Sequence, residues 1–364
     1  MTRVCHITTV HNLLDDRIFY KECVCLVKAG FDVSLVVTHN KNEVINGVNI
    51  VSLPKSKNRL HRMFVKSHFA FYRALKTNSK IYHFHDPELL FIGVLLRLMG
   101  KKVIYDSHEN VSKQIQSKEY IKPRLLRVSV AKFYRIVEKI CISTFSSIIS
   151  VTPEIVEFLS KKKGVLIRNF PIISLIDDTE INEKKTNKKV LFYAGGLSRI
   201  RGIKEVCEAV ANSNLEMEFQ LAGPWESEEY KKECLSINKK KINYLGIFPM
   251  EEVYPIMKAA DIGIATLFPV KNYLNSYPIK AFEYMACELP IVMSDFPYWK
   301  KSFSESAVFV NPNSPEEIRV KIEMLLNHPD KAKKMGENGR KAVIEKYSWE
   351  AESKKLVELY KSLV

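Results

Sequence analysis

Asn275-Ser-Tyr-Pro-Ile-Lys-Ala-Phe-Glu-Tyr-Met-Ala-Cys-Glu-Leu-Pro-Ile-Val292 sets a helical pattern directly before an apolar strand, the step from which a parallel sheet is wound. Pro278 at the expected first turn, with Asn275 and Ser276 just ahead of it, marks the helix start. Such a start presents free backbone N–H groups to an anion. Glu283 falls about two turns further on. Its helical neighbours Ile279 and Ala286 are apolar, so this carboxylate is not on an ordinary solvated face. Two partners suit it: Lys280, one turn back, as a structural ion pair, or the hydroxyl pair of a ligand such as a ribose, with a diphosphate at the helix start.

Outward from this stretch, short apolar runs and helical patterns alternate along the chain. The second half reads as strands at 190–194, 218–222, 242–245, 262–265, 290–293 and 307–310, with helices at 203–211, 226–237 and 250–259 between them. Three further helices, at 315–327, 329–346 and 349–363, close the chain. The first half reads as strands at 4–9, 32–38, 81–84, 103–105 and 147–151, with helices at 16–29, 87–99, 122–143 and 154–161. Between the halves, Ser174 to Lys189 is polar and rich in breakers, as a linker would be. The expected organisation is α/β: a doubly wound, Rossmann-like domain over 1–172, a linker over 173–189, a second such domain over 190–346, and a terminal helix over 347–364. Each half can offer the carboxyl ends of its strands to one ligand in a cleft between them.

A chain of 364 residues suits two domains, and its 46% hydrophobic and 27% charged content is that of a globular protein. The longest apolar run, Leu89 to Leu96, is broken by Arg97 and is too short to cross a bilayer. The first apolar residues from Val4 read directly as a buried strand rather than a signal peptide. Seven cysteines without metal-ligand spacing fit reduced, cytosolic thiols. The net charge of +15 calls for an anionic partner. Its distribution points to lipid: Pro54 to Lys76 carries seven Lys or Arg residues and no acid, with Leu60, Phe64, Phe71 and Leu75 at helical spacing. The same spacing would serve a surface helix whose apolar stripe faces the core. Lys118 to Lys139, with Tyr120, Phe133 and Tyr134, repeats the basic and aromatic pattern. No recognised nucleic-acid motif accompanies the charge, so no nucleic-acid partner is expected.

Polar clusters follow the first-half strands: His83-Phe-His85-Asp86-Pro-Glu88 after one, and Tyr105-Asp106-Ser-His108-Glu109-Asn110 after the next. In an open parallel sheet these ends face ligands. His85 and His108 could alternatively be satisfied loop histidines, and His83, His85 and Asp86 have a metal-like spacing without a third cluster to complete it. After the first strand, Arg17 can reach a phosphate or an acceptor, and Asp15 or Asp16, more plainly Asp16, can cap the helix. In the second half, Tyr193-Ala-Gly195-Gly196-Leu-Ser198-Arg199-Ile-Arg201-Gly202 joins a strand to a helix. Its glycines permit close backbone approach and its two arginines suit a diphosphate.

Taken together, His6 to Ile18, His83 to Glu88, Val103 to Glu109, Gly195 to Gly202, Tyr244 to Gly246, Pro278 to Val292 and the closing Tyr347-Ser-Trp349 resemble the family 4 retaining glycosyltransferases of the GT-B fold, over nearly the whole chain. That resemblance implies hexosyl transfer, with retention and without a metal or cofactor, from a UDP- or GDP-sugar to a hydroxyl of a glycan acceptor. It also implies a closing helix that crosses back to the first domain. Glu283 matches the second acid of the family's Glu-x7-Glu pattern, which holds the donor ribose; Arg201 matches a lysine that neutralises the diphosphate; His108 matches a histidine near the reaction centre. Arg199 would stand in for the family arginine that is Gly196 here. By the same resemblance the donor site takes in Gly195, Gly196, Gly246, Ile247, Asn275, Ser276, Tyr277 and Lys280, and the acceptor side takes in Arg17, His85, Asp86 and Glu109. Two departures stand out: the first acid of the pattern is Asn275, and the family's Gly-Leu-Pro is Glu288-Leu289-Pro290. The expected setting is the inner face of the cytoplasmic membrane, where a lipid-linked acceptor of a bacterial surface polysaccharide is extended by a protein docked through residues 54–76 and 118–139. A GT-B-like epimerase acting on a nucleotide sugar would share the cleft and need no membrane stretch.

Overall fold

The computed structural model describes residues 1–107, 110–117, 122–160, 162–181, 187–274 and 276–364. The chain forms two compact units, Met1–Asn169 with Ala351–Val364, and Phe170–Glu350.

The first unit is built on eight strands: β1 (Arg3–Ile7), β2 (Asp32–Thr38), β3 (Glu43–Ile45), β4 (Val48–Leu53), β5 (Ile81–Phe84), β6 (Lys102–Ser107), β7 (Ser147–Ser150) and β8 (Gly164–Leu166). Their order is β3-β4-β2-β1-β5-β6-β7-β8, parallel except for β3. The strands are continuous apolar runs because helices cover the sheet. Strand order reverses between β1 and β5, where His6 pairs in register with His83. The β3–β4 hairpin was not expected from sequence. Its turn is Asn46-Gly47, both at positive φ (47° and 78°), the dipeptide that two-residue hairpins favour most. The last helix, Trp349–Leu363, delivers Tyr360 into this unit's core, fully buried against Phe31 and His6.

The second unit has six parallel strands: β9 (Lys189–Ala194), β10 (Met217–Ala222), β11 (Ile242–Gly246), β12 (Ile262–Ala265), β13 (Ile291–Ser294) and β14 (Ala307–Val310). Their order, β11-β10-β9-β12-β13-β14, is that of a dinucleotide-type doubly wound sheet with its switch point between β9 and β12. Glu283 lies on the helix Ile279–Ala286, between β12 and β13. The domain boundary moves relative to the sequence reading. Phe170, Ile173 and Ile176 are buried in the second unit's core, and Ile173–Asp177 is a helix, so the expected linker begins as packed structure. Apolar side chains at 170, 173 and 176 outweigh the polar composition that follows them.

Candidate functional site

In the first unit, the switch point is filled by the protein itself. His6, His83, His85, Arg17, Glu22, Asp106 and Tyr360 are all buried there. Arg17 Nε and Nη2 grip both oxygens of Asp106 at 2.9 and 3.1 Å, and Nη1 donates to Ile167 O at 3.1 Å. One set of tautomers satisfies the whole line of hydrogen bonds that starts at the Asp106 carboxylate. His85 Nδ1–H donates to Asp106 (3.3 Å), His6 Nδ1–H to His85 Nε2 (3.0 Å), the Tyr360 hydroxyl to His6 Nε2 (3.0 Å), and His83 Nδ1–H to the Tyr360 oxygen (2.7 Å). Burial pushes His6 and His83 well below the usual histidine range. Glu22 sits beside them, its Oε1 3.1 Å from Arg17 Nε. Burial and the Asp106 charge push its carboxyl well above the usual range, against the pull of Arg17. His6, Glu22, His83 and His85 hold ligand atoms within 4.8 Å of one another, and among the described residues they are the group that could hold a metal ion. An ion there would have to displace the His6–His85 hydrogen bond.

The loop after β1 is braced from the same strand ends. Asp86 accepts from Thr9 N at 2.6 Å and from the hydroxyls of Thr8 and Thr9 at 3.0 and 3.2 Å. Lys66 donates to Thr9 O at 2.9 Å, and Glu88 pairs with Arg62 at 3.0 Å. Asp15, not Asp16, caps the helical residues 16–28, accepting from the N–H groups of Arg17 and Ile18; Asp16 pairs with Lys21 at 2.7 Å. Burial alone would raise Asp15, but the His11 ring and the Ile18 N–H outweigh it and bring the carboxyl down to about 2.

The structure places Arg17, His85 and Asp86, expected on the acceptor side, inside the first unit. Each is buried with its polar atoms turned inward, because the reversal of strand order brings β1, β5 and β6 close enough to satisfy one another. The metal-like trio of His83, His85 and Asp86 does not form as expected either, since Asp86 belongs to the loop and Glu22 takes its place beside the histidines. His108 and Glu109 lie outside the described residues. Lys66, Glu22 and Tyr360 were missed; a lysine or glutamate on the inner face of an otherwise apolar helix was the available signal.

The second unit differs. Gly195 (φ 133°) and Gly223 (φ 136°) bring the ends of β9 and β10 so close that a Cβ on Gly223 would lie 2.0 Å from Gly195 O. Gly202 (φ 66°) presses on Thr266 just past β12, where a Cβ would lie 2.2 Å from Thr266 O. Gly196 meets nothing within 4 Å and leaves open space. Against these glycines stands Lys280, from the first turn of the helix Ile279–Ala286, donating to Ala194 O with its ammonium 3.7 Å above the Tyr193 ring. Arg201 lies close enough to repel it and stacks 5.3 Å from the Tyr273 ring. Burial first, then Arg201, pull Lys280 down to about 7, with Glu283 opposing. Among the described residues neither cation has an acid at ion-pair distance.

Glu283 is half-buried, and Tyr254 donates to its Oε1 at 3.4 Å. Lys280, its expected structural partner, turns to Ala194 instead, while Ile279 is 39% exposed rather than packed. Arg199, expected to supply charge to the site, extends to Glu233 at 2.7 Å over the Tyr230 ring. Tyr277 bonds Ser302 (2.8 Å) and stacks on Tyr298, and Trp299 anchors Ser276 O at 2.7 Å. Gly246 (φ 114°) accepts from Gly223 N at 2.8 Å, and Ile247 beside it is exposed. Asn275 lies outside the described residues.

Comparison with known proteins gives matches over both units. Residues 16–170 match the model of Glycosyltransferase Family 4, and residues 176–342 match that of Glycosyl transferases group 1. An uncharacterized glycosyltransferase of Methanocaldococcus jannaschii is 23% identical over 83% of this chain and 78% of its own length. Among solved structures, a sucrose-phosphate synthase from Thermosynechococcus elongatus superposes with a TM-score of 0.76 at 17% identity, covering 100% of this chain and 99% of its own. HepE of Anabaena, solved in complex with UDP-glucose, superposes with a TM-score of 0.72 at 11% identity over 100% of both chains.

Proposed function

Because the chain belongs to the family 4 type of glycosyltransferases and has the GT-B fold, we propose that it moves a hexose from a UDP- or GDP-sugar to a hydroxyl of a lipid-linked glycan acceptor, with retention at the anomeric carbon, in the assembly of a surface polysaccharide at the inner face of the cytoplasmic membrane. The observation that carries the donor half is the pair Arg201 and Lys280. Two cations held close together, one of them buried, at the glycine-lined end of β9 suit a diphosphate. The similarity to HepE, which was solved with UDP-glucose, supports a nucleotide sugar.

In this reading the bond from the anomeric carbon to the donor phosphate oxygen breaks, the acceptor oxygen attacks from the same face, and the departing phosphate takes the acceptor proton. Arg201 and Lys280 absorb the charge that develops on the leaving diphosphate, so no metal is required for that task. Glu283 holds the ribose hydroxyls. A thermal-shift screen with UDP-, GDP- and dTDP-sugars tests this: one donor raises the melting temperature of the wild type by mass action and fails to do so for Arg201→Ala. If none of them shifts the wild type up to about 1 mM, the upper end of ordinary enzyme affinities, the reading fails.

A further inference from the structure

The crossovers from β4 to β5, β5 to β6 and β6 to β7 all step in one direction, and right-handed crossovers then lay their helices on one face of the first sheet. The helices Ser67–Lys76, Leu90–Leu98 and Arg124–Thr144 are neighbours there. Ala70, Leu96 and Cys141, one from each, share a core with Phe84 and Tyr105, and Arg97 Nε donates to Thr144 O at 2.8 Å.

What these helices turn outward is the reverse of a solvated face. Phe91, Leu95 and Leu98 form the outer ridge of the middle helix, with Phe91 66% and Leu98 80% exposed. On Arg124–Thr144 the outer ridge is Leu126, Phe133, Ile136 and Ile140, with Phe133 70% exposed. Leu60, Phe64 and Val65, in the turns leading into Ser67–Lys76, and Tyr72 within it are each more than half exposed. Only Phe71 and Leu75 of the stripe read from sequence turn toward the core. A surface helix ordinarily places charge on its outer ridge. Apolar ridges on three adjacent helices mark a surface that binds something.

Charge identifies the occupant. Residues 54–146 carry nineteen Lys or Arg and six acids. The four described acids are withdrawn from the surface: Asp86, Asp106 and Glu138 are buried, and Glu88 is paired with Arg62. Burial pushes Glu138 up to about 7, so it is partly neutral as well. A second copy would bring the same positive face against itself. No helix among the described residues is long and apolar enough to cross a membrane. We propose that this face of the first unit lies on an anionic lipid bilayer, its apolar ridges entering the headgroup boundary while Lys132, Arg135, Lys139 and their neighbours pair with lipid phosphates.

This locates the lipid-linked acceptor of the sugar-transfer reading, and it is tested without donor or acceptor so that either can fail alone. Full-length protein is sedimented with vesicles of phosphatidylcholine and with vesicles containing about 30% phosphatidylglycerol. Binding to the anionic vesicles is expected, weakening with salt, and the triple variant Phe133→Ser, Ile136→Ser, Ile140→Ser lowers partitioning by about tenfold or more. An unchanged melting temperature shows that the variant is folded; charge reversal of Lys132, Arg135 and Lys139 gives a second, independent loss. Absence of pelleting with anionic vesicles overturns the proposal, as does undiminished pelleting of the folded triple variant. A wild-type dimer that the triple variant dissociates, with no vesicle binding, assigns the face to a second copy instead.

Discussion

The two units wind their sheets in the same way and use their switch points oppositely. Between β1 and β5, three histidines, a tyrosine, an arginine and two acids fill the space and are linked to one another by hydrogen bonds and ion pairs. Between β9 and β12 the corresponding end is lined by Gly195, Gly202 and Gly223, with Lys280 and Arg201 placed beside them. Topology creates a crevice in either case. Side-chain volume and charge balance decide which crevice is filled from within: the first closes around Asp106 with its own guanidinium, and the second holds two cations that have no acid at ion-pair distance among the described residues.

The contrast breaks hardest at Arg17. Its removal strands Asp106 and Glu22 inside the first unit, and losing one partner of a buried ion pair costs about 3–5 kcal/mol. Arg17→Met should therefore lower the free energy of unfolding by that amount, seen as a lower denaturant midpoint, or prevent accumulation of the protein. A variant as stable as wild type would show that the first switch point is not held by this pair.

Arg201 should behave in the opposite sense. It is half-buried and has no ion pair among the described residues to lose, so Arg201→Ala leaves the denaturant midpoint nearly unchanged. Sugar transfer should fall by about 10²–10³, the usual effect of removing a group that stabilises developing negative charge. Glu283→Ala should lose transfer with equal loss of donor binding by calorimetry. Wild-type turnover in either folded variant would remove the donor site from this end of the second sheet.

A finer distinction is available from pH. Lys280, near 7 in the folded chain and near 10.5 when unfolded, binds its proton less readily in the native state. Native stability therefore rises from pH 7 toward 10.5, and Lys280→Met removes that slope. A bound diphosphate reverses the preference, because the anion favours the ammonium. Donor affinity should weaken above pH 7 by up to about tenfold per unit, with proton uptake on binding seen as a buffer-dependent heat. Affinity flat from pH 7 to 9 would mean that Lys280 does not face the phosphates.

Much of this was legible in the sequence. The strand at 32–38, the glycine-rich turn after β9 and the helix of Glu283 stand where periodicity and turn chemistry put them. The helices of the first sheet face were visible too, but not which side they bury: the stripe Leu60, Phe64, Phe71 and Leu75 splits between solvent and core, because spacing gives an angle around a helix and not the direction of the sheet. The internal destination of Arg17, His85 and Asp86 was hidden for a related reason. Strand order, which brings residues 6, 17, 83, 106 and 360 together, is a long-range fact that no local pattern carries. Lys280 was read as a partner for Glu283 because a helix offers that contact by default. The close approach of Gly195 gave its ammonium a carbonyl and an aromatic face instead.

The smallest effect concerns the departure at Glu288. It holds φ at 60°, the left-handed geometry for which glycine is preferred just past a helix end, and its carbonyl is packed so closely on Gly336 that a Cβ there would lie 1.9 Å away. The position precedes β13, so it sits at the amino ends of the second sheet, away from the carboxyl ends where Gly195 and Gly202 lie. A side chain there does not select a sugar at that site; it costs the helix terminus some strain. Glu288→Gly should raise stability by about 1 kcal/mol, the lower end of the left-handed penalty for a non-glycine residue, with transfer unchanged. A change in donor preference with no gain in melting temperature would instead bring the Glu288-Leu-Pro290 turn back into the sugar site and erase the division between the two ends of this sheet.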